Sequence, residues 1–188
     1  EKLKRRGIAG MIFVFKVAGA IAETGAPLED IFNSASETNN NIRTLGVALS
    51  PCILPEAGKP TFEINDDEIE IGMGIHGEPG IKREKLRNAD PLIDDLCAKI
   101  LADFKLIDKN QVSIMINSLG ATPLEELYIV SKRVHENFSK LKIEIIKSYV
   151  GRYATSMEMA GMSITVFKLD NKLKKFLLTE SNCPFWSN

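Results

Sequence analysis

The chain has 188 residues, 44% hydrophobic and 26% charged, with a net charge of −1. This is the composition of an ordinary soluble globule of one domain, at most two, and it excludes a global field that would steer the chain to nucleic acid or anionic lipid. Three cysteines, Cys52, Cys97 and Cys183, lie far apart with no C-x-x-C pair. That argues against a disulfide framework or a zinc site and for a reducing, cytoplasmic compartment.

Lys2, Lys4, Arg5 and Arg6 form a short basic start that reads as a solvated end. The apolar run from Ile8 to Ala22 is interrupted by Lys16 and falls short of the about 20 residues that cross a bilayer. Gly7 to Glu23 reads as a largely buried helix, with Gly25 as its C-cap. Pro27 opens a second helix, with Leu28, Ile31, Phe32, Ala35 and Ile42 on one face. Leu45 to Ser50 is a short strand. Pro51 to Pro60 is irregular, with three prolines and Gly58. Thr61–Ile64 and Glu68–Ile75 are expected to pair as a hairpin across Asn65-Asp66-Asp67.

A polar link holding Lys82, Arg83, Lys85 and Arg87 follows, then Asp90 as N-cap and Pro91 as the first helical residue. Leu92, Ile93, Leu96, Ile100, Leu101 and Phe104 form an amphipathic stripe. Val112–Asn117 is a strand. Thr122 and Glu125 have the spacing of a capping box for the next helix, whose apolar face is Leu127, Val130, Val134 and Phe138. Ile143–Val150 and Ser163–Leu169 are strands, and Asp170-Asn171 turns the second into Leu173–Leu177. Trp186, the only tryptophan, is expected to fold back on the body with its neighbours Pro184 and Phe185. Together these elements predict a mixed α/β domain over residues 1–188, with about six strands in one sheet and helices packed mainly on one face.

Candidate chemistry centres on Gly72-Met73-Gly74-Ile75-His76-Gly77-Glu78-Pro79-Gly80. It follows the alternating Glu68-Ile69-Glu70-Ile71, so His76 stands where a strand gives way to a rigid turn. An imidazole held there can meet a ligand at little ordering cost, and its protonation is adjustable near neutral pH. An ordinary glycine turn carrying an ordinary histidine accounts for the spacing equally well. His76 and Glu78 could be two metal ligands, but no third is signposted, so no metal is expected. His135, the other histidine, lies among Lys132, Arg133 and Glu136 and reads as solvated. Gly72-x-Gly74-x-x-Gly77 has dinucleotide-type spacing, yet no helix starts after it and Glu78 would repel a pyrophosphate. The Asn117–Thr122 loop leads into a helix N-terminus, where an anion could sit, but a strand-to-helix turn explains it. The stretch Tyr149–Gly161 reads as a connecting loop or a pocket lining. No serine elbow or glycine-flanked cysteine is present. What survives is His76 adding to, or hydrogen bonding with, a small polar ligand, its ring oriented by Glu78 or a backbone carbonyl.

Gly74-Ile75-His76-Gly77-Glu78-Pro79-Gly80 resembles the substrate-binding subunit of dihydroxyacetone (glycerone) kinase, and that family includes ketone-sensing co-activator paralogues. So do Ala57-Gly58-Lys59-Pro60, Leu119-Gly120-Ala121-Thr122-Pro123-Leu124 and Thr155–Thr165, in order along Arg5 to Trp186. The resemblance implies that His76 holds dihydroxyacetone as a covalent hemiaminal, with Gly74, Gly77 and Glu78 around the substrate. It implies no cofactor on this chain, ATP or ADP-Mg on a partner nucleotide-binding subunit or domain, and a homodimer of the full subunit. It implies no direct contact with nucleic acid or membrane. It covers only the second half of that subunit, whose first half carries a further Gly-His-Glu-Pro loop and the aspartate and histidine that act on the substrate hydroxyl. Since the chain opens on Glu1 rather than Met, a piece of something longer is expected. The family's second domain is a mixed six-stranded sheet covered by helices.

Overall fold

A computed structural model describes residues 5–56, 58–184 and 186–187. Lys2 and Lys4 of the basic start, Ala57 of one family motif and Phe185 of the tail lie outside the described residues. The elements run α1 (Gly10–Ala22), α2 (Leu28–Asn40), β1 (Ile42–Ala48), β2 (Glu68–Ile71), β3 (Lys82–Lys85), α3 (Ala89–Phe104), β4 (Gln111–Ser118), α4 (Leu124–Lys140), β5 (Glu144–Gly151), β6 (Gly161–Leu169), α5 (Asn171–Leu177), β7 (Asn182–Cys183) and β8 (Trp186–Ser187). The main sheet has six strands in the order β3-β2-β1-β6-β4-β5, and every pair is antiparallel except β4 with β5. The mixed six-stranded α/β sheet is as expected.

The helices, however, are shared between the two faces of the sheet. Val112, Ile114 and Ile116 of β4 point to α3 and α4, where they meet Leu96 and Phe138. Met115, between them, points the other way, to Phe13 of α1 and Leu173 of α5. Side chains alternate along a strand, so an unbroken Ile-Met-Ile run needs cover on both sides. Trp186 is buried in the second of these cores and stacks on Tyr149 with ring centroids 4.5 Å apart, so the tail folds back as expected.

Other expectations fail for identifiable reasons. Leu28 and Phe32 of α2 are exposed, whereas Ser34 and Thr38 are buried. α2 packs on α1 rather than on the sheet, and small side chains permit that approach. Ile42 belongs to β1, not to α2. Residues 61–64 form no strand, and the partner of β2 is β3, the stretch read as a polar link. Lys82-Arg83-Glu84-Lys85 has no apolar residue to betray a strand, yet charge is what an exposed edge strand carries. Arg83 sits across from Glu70 and pairs with it at 2.9 Å. Asn88 rather than Asp90 precedes α3, and residues 171–177 are helical, begun by the Asp170 carboxylate accepting from Leu173 N–H at 2.7 Å.

α3 and α4 are also tied at the surface, where Asp94 takes both Arg133 Nε (2.8 Å) and Arg133 Nη2 (2.6 Å), plus the Asn137 amide at 2.7 Å. Arg133 first, then Asn137, pulls the Asp94 carboxyl down to about 2 from its ordinary 3.8. A depressed carboxylate stabilises the fold above its ordinary pKa and loses that contribution as pH falls through the folded value. The stability gap between wild type and Asp94→Asn is therefore expected to be flat above pH 3.8 and to close towards pH 2 in acid-unfolding titrations. A gap that does not narrow there would assign the difference to packing alone.

Candidate functional site

The loop 72–81 joins β2 to β3, so it is the connection of a hairpin on the outer part of the sheet. Gly72 turns the chain away from β1 at φ +83°, a conformation that L side chains resist. Met73 then drops into the core beside Cys52, Leu119 and Met159, and Ile75 packs partly against it. Those two anchors leave His76 at the tip of a turn closed by Gly77 N–H donating to Gly74 O at 3.3 Å. The imidazole is 80% exposed.

Glu78 organises the turn. One oxygen, Oε2, accepts His76 N–H at 3.0 Å, and the other, Oε1, lies 3.4 Å from His76 Nδ1 and 3.2 Å from Arg6 Nε. Its carbonyl accepts Gly74 N–H at 3.1 Å. Partial burial pushes the Glu78 carboxyl up, but its own N–H, the His76 groups and Arg6 together outweigh that and hold it below the usual range. It is an anion at neutral pH, facing Nδ1, and no group among the described residues pairs with Nε2. This leaves one ring nitrogen oriented and the other turned outward.

Gly74 is required here for space. A Cβ at residue 74 would stand 2.1 Å from Glu78 Oε2 and 2.7 Å from Cδ. The carboxylate can swing aside, so Gly74→Ala is expected to fold with a loss below about 1 kcal/mol. It should nonetheless free the His76 N–H and ring from Glu78, seen as faster His76 amide exchange and shifted ring resonances in NMR. Unchanged His76 signals would show that Glu78 does not orient the ring.

The structure holds Gly74, His76, Gly77 and Glu78 in one turn. It adds Arg6 and Thr61, which the sequence reading missed. A Cβ at residue 77 would stand 3.5 Å from Thr61 Cβ, so Thr61 lies under the turn. Thr61 N–H donates to Cys52 O at 2.9 Å, and Cys52 Sγ lies 3.3 Å from Ser156 Oγ. Both residues are remote in sequence and carry no spacing signal. A groove of about 1060 Å³ runs beside the loop, lined by Glu78 and Pro79 but not by His76. His135 is exposed on α4, its Nε2 2.8 Å from Ser148 Oγ. Thr122 does not cap α4; its hydroxyl donates to Gly161 O and accepts Gly161 N–H, both at 2.8 Å, so it ties the Asn117–Thr122 loop to the start of β6. Among the described residues no three His, Cys, Asp or Glu side chains could hold a metal ion, and no helix is long and apolar enough to cross a membrane.

Against known proteins, the sequence matches the Dak1 domain over residues 1–185. It is 46% identical over 168 residues to the dihydroxyacetone-binding subunit DhaK of PTS-dependent dihydroxyacetone kinase 1 of Listeria innocua, a match that covers 89% of this chain and 51% of that protein. Among solved structures it is similar to the dihydroxyacetone kinase operon co-activator Dha-DhaQ, with TM-score 0.85 and 33% identity over 93% of this chain and 55% of that one. It is also similar to the native dihydroxyacetone kinase of C. freundii, with TM-score 0.81 and 33% identity over 97% of this chain and 33% of that one. The chain spans about half the length of the curated DhaK subunits it matches.

Proposed function

This chain belongs to the Dak1 domain family, and from that membership and the His76 turn we propose that it is the dihydroxyacetone-binding part of a dihydroxyacetone kinase, gripping the ketone as a hemiaminal on His76. The observation that carries the reading is the pairing of an 80% exposed ring with an anionic Glu78 set 3.4 Å from its Nδ1. A carboxylate there favours the tautomer with the proton on Nδ1 and the lone pair on Nε2.

Nε2 attacks the ketone carbon. The new C–N bond forms as the C=O π bond breaks, and the carbonyl oxygen takes a proton from water. The Nδ1 proton leaves toward Glu78 and then water, so the net change is addition of N–H across C=O, with nothing else released. Glycerol has no carbonyl and cannot be held this way. Gly74 leaves room for the Glu78 carboxylate that orients the ring, and Gly77 lets the turn rest against Thr61. Phosphorylation to dihydroxyacetone phosphate then requires a nucleotide borne by a partner nucleotide-binding subunit or domain, either ATP used directly or ADP-Mg that a phosphotransferase relay first recharges. The working unit in this reading is a cytoplasmic homodimer of the full subunit.

Dihydroxyacetone labelled with ¹³C at the carbonyl tests the grip. The chain alone is expected to grip the ketone poorly; on mixing with the full-length subunit that carries it, the labelled carbon should move from the carbonyl to the tetrahedral region of the NMR spectrum. Persistence of the carbonyl signal at saturating protein removes the proposal. A second reading, a ketone-sensing co-activator without kinase activity, is favoured by the likeness to Dha-DhaQ. The two diverge when a nucleotide-loaded kinase subunit is added to the full-length subunit that carries this chain: turnover supports the first, and adduct without turnover the second.

A further inference from the structure

We propose that Glu70 is a positioning residue for His76: its buried carboxylate holds the exit of the turn through Gly80 and so keeps Glu78 against the imidazole. This role rests on the reading of His76 as the anchor of the ketone. Glu70 stands within β2 and is 7% exposed, a rare place for a carboxylate. Its neighbours Ile69 and Ile71 belong to the core under α3 and α4, so alternation turns Glu70 to the other face, the one in which Met73 is buried. There each carboxylate oxygen has its own partner. Oε1 accepts Gly80 N–H at 2.7 Å, and Oε2 accepts an N–H of Arg83 Nη2 at 2.9 Å. With both oxygens taken and the group buried, Glu70 acts through the turn rather than on the ketone.

Gly80 is shaped for this contact. Unlike Gly72 and Gly77 it has no positive φ, so backbone conformation does not call for glycine. Space does: a Cβ there would stand 2.5 Å from Ile71 O and 2.8 Å from Glu70 Cγ. The bond to Glu70 is the only hydrogen bond that Pro79 or Gly80 makes among the described residues. On one side of it Ile81 N–H donates to Ile71 O at 2.8 Å, and on the other Glu78 O accepts Gly74 N–H at 3.1 Å. Pro79, with its fixed φ, passes the constraint from Gly80 to Glu78. Without it, Glu78 would be tied only to Arg6 and to the turn that it orients. A bond to a charged acceptor is stronger than one to a neutral acceptor, and Arg83 offsets the cost of burying the charge. A cross-strand ion pair that merely fixes β3 on β2 would account for Arg83 but not for Gly80.

The His76 ring nitrogens are followed by ¹⁵N NMR in the full-length subunit that carries this chain, with His76 identified by its loss in His76→Gln. In the wild type the shifts should report a proton on Nδ1 and a lone pair on Nε2, and Gly80 N–H should exchange slowly. Glu70→Ala, checked for folding by circular dichroism, should return the ring to the tautomer mixture of an unconstrained histidine. It should also weaken the adduct with ¹³C-labelled dihydroxyacetone about tenfold, as the competent fraction of rings falls to about one tenth. Arg83→Gln breaks the ion pair but leaves the Gly80 bond, so the ring should not change. Glu70→Gln combined with Arg83→Gln should restore both readings, because the amide oxygen at residue 70 still accepts Gly80 N–H while its NH₂ donates to the amide at residue 83. The proposal is overturned by wild-type ring nitrogens in Glu70→Ala, by loss of the Nδ1–H form in Arg83→Gln, or by a folded double variant that restores nothing. Fast exchange of Gly80 N–H in the wild type overturns it without any variant. If the wild type forms no adduct, the reading of His76 fails and this role with it; if it forms one while the ring ignores Glu70, this role alone fails.

Discussion

His76→Ala is expected to abolish the tetrahedral ¹³C signal of bound dihydroxyacetone while leaving the fold intact. The two halves of that expectation rest on different observations. The fold half follows from exposure: the ring is 80% exposed, and the anchors of the turn are Met73 and Ile75, not the imidazole. Removing a side chain that buries little costs about 0.5 kcal/mol or less. The His76 N–H to Glu78 bond is a backbone bond and survives the substitution. The binding half follows from chemistry: the turn offers a ketone no other neutral nitrogen. Glu78 is an anion whose oxygens are committed to the His76 N–H and Arg6, and its addition product with a ketone would be unstable. His76→Gln is the sharper control, because an amide can hydrogen bond to the ketone but its nitrogen has no free lone pair to add. Both variants should melt within about 1–2 °C of wild type, given that one kcal/mol moves a domain of this size by about 2–4 °C. A tetrahedral signal that persists in His76→Gln would place the adduct on another residue.

The sequence made some of this legible and hid the rest for physical reasons. The strongly periodic helices were readable: Leu127, Val130, Val134 and Phe138 are buried on one face of α4, and the α3 stripe likewise. So were β4 and β6, whose apolar runs demand burial. β3 was not, because an edge strand built of Lys, Arg and Glu has no apolar alternation to detect. α2 misled because its largest apolar residues, Leu28 and Phe32, point to solvent while Ser34 and Thr38 carry the contact. The division of the helices over two faces was implicit in Ile114-Met115-Ile116 but needed the sheet order to be seen. At the site, Gly74, His76, Gly77 and Glu78 lie within one short stretch, so the turn that holds them was legible as a glycine-rich segment after β2. Arg6 and Thr61 reach the turn through tertiary folding alone, and no local pattern points to them.

The capping-box misreading leads to the other large expected effect. Thr122 has the spacing of a cap for the helix that follows it, but its hydroxyl serves Gly161, which places the 118–122 loop flat against the segment 156–161. Leu119 N–H donates to Gly161 O at 3.0 Å, Ser156 N–H to Leu119 O at 2.6 Å and Ala121 N–H to Met159 O at 3.0 Å, while Arg152 reaches Gly120 O. Gly120 is the point of closest approach, at φ +152°. A Cβ there would stand 2.0 Å from Met157 O and 3.0 Å from Met157 C. Unlike the Glu78 carboxylate near Gly74, this obstacle is backbone pinned by hydrogen bonds on both sides, so it cannot swing away. Gly120→Ala is therefore expected to lose about 4 kcal/mol, from the disfavoured φ plus the overpacked contact. Thermal unfolding should shift down by about 10 °C. The damage should also travel, because Ser156 touches Cys52, Cys52 binds Thr61, and Thr61 lies under the His76 turn. Faster amide exchange at Thr61 and Gly77 in Gly120→Ala would show that this clamp holds the turn in place. A loss below about 1 kcal/mol would mean that the 156–161 segment yields easily and that the turn's rigidity comes from Met73 and Ile75 alone.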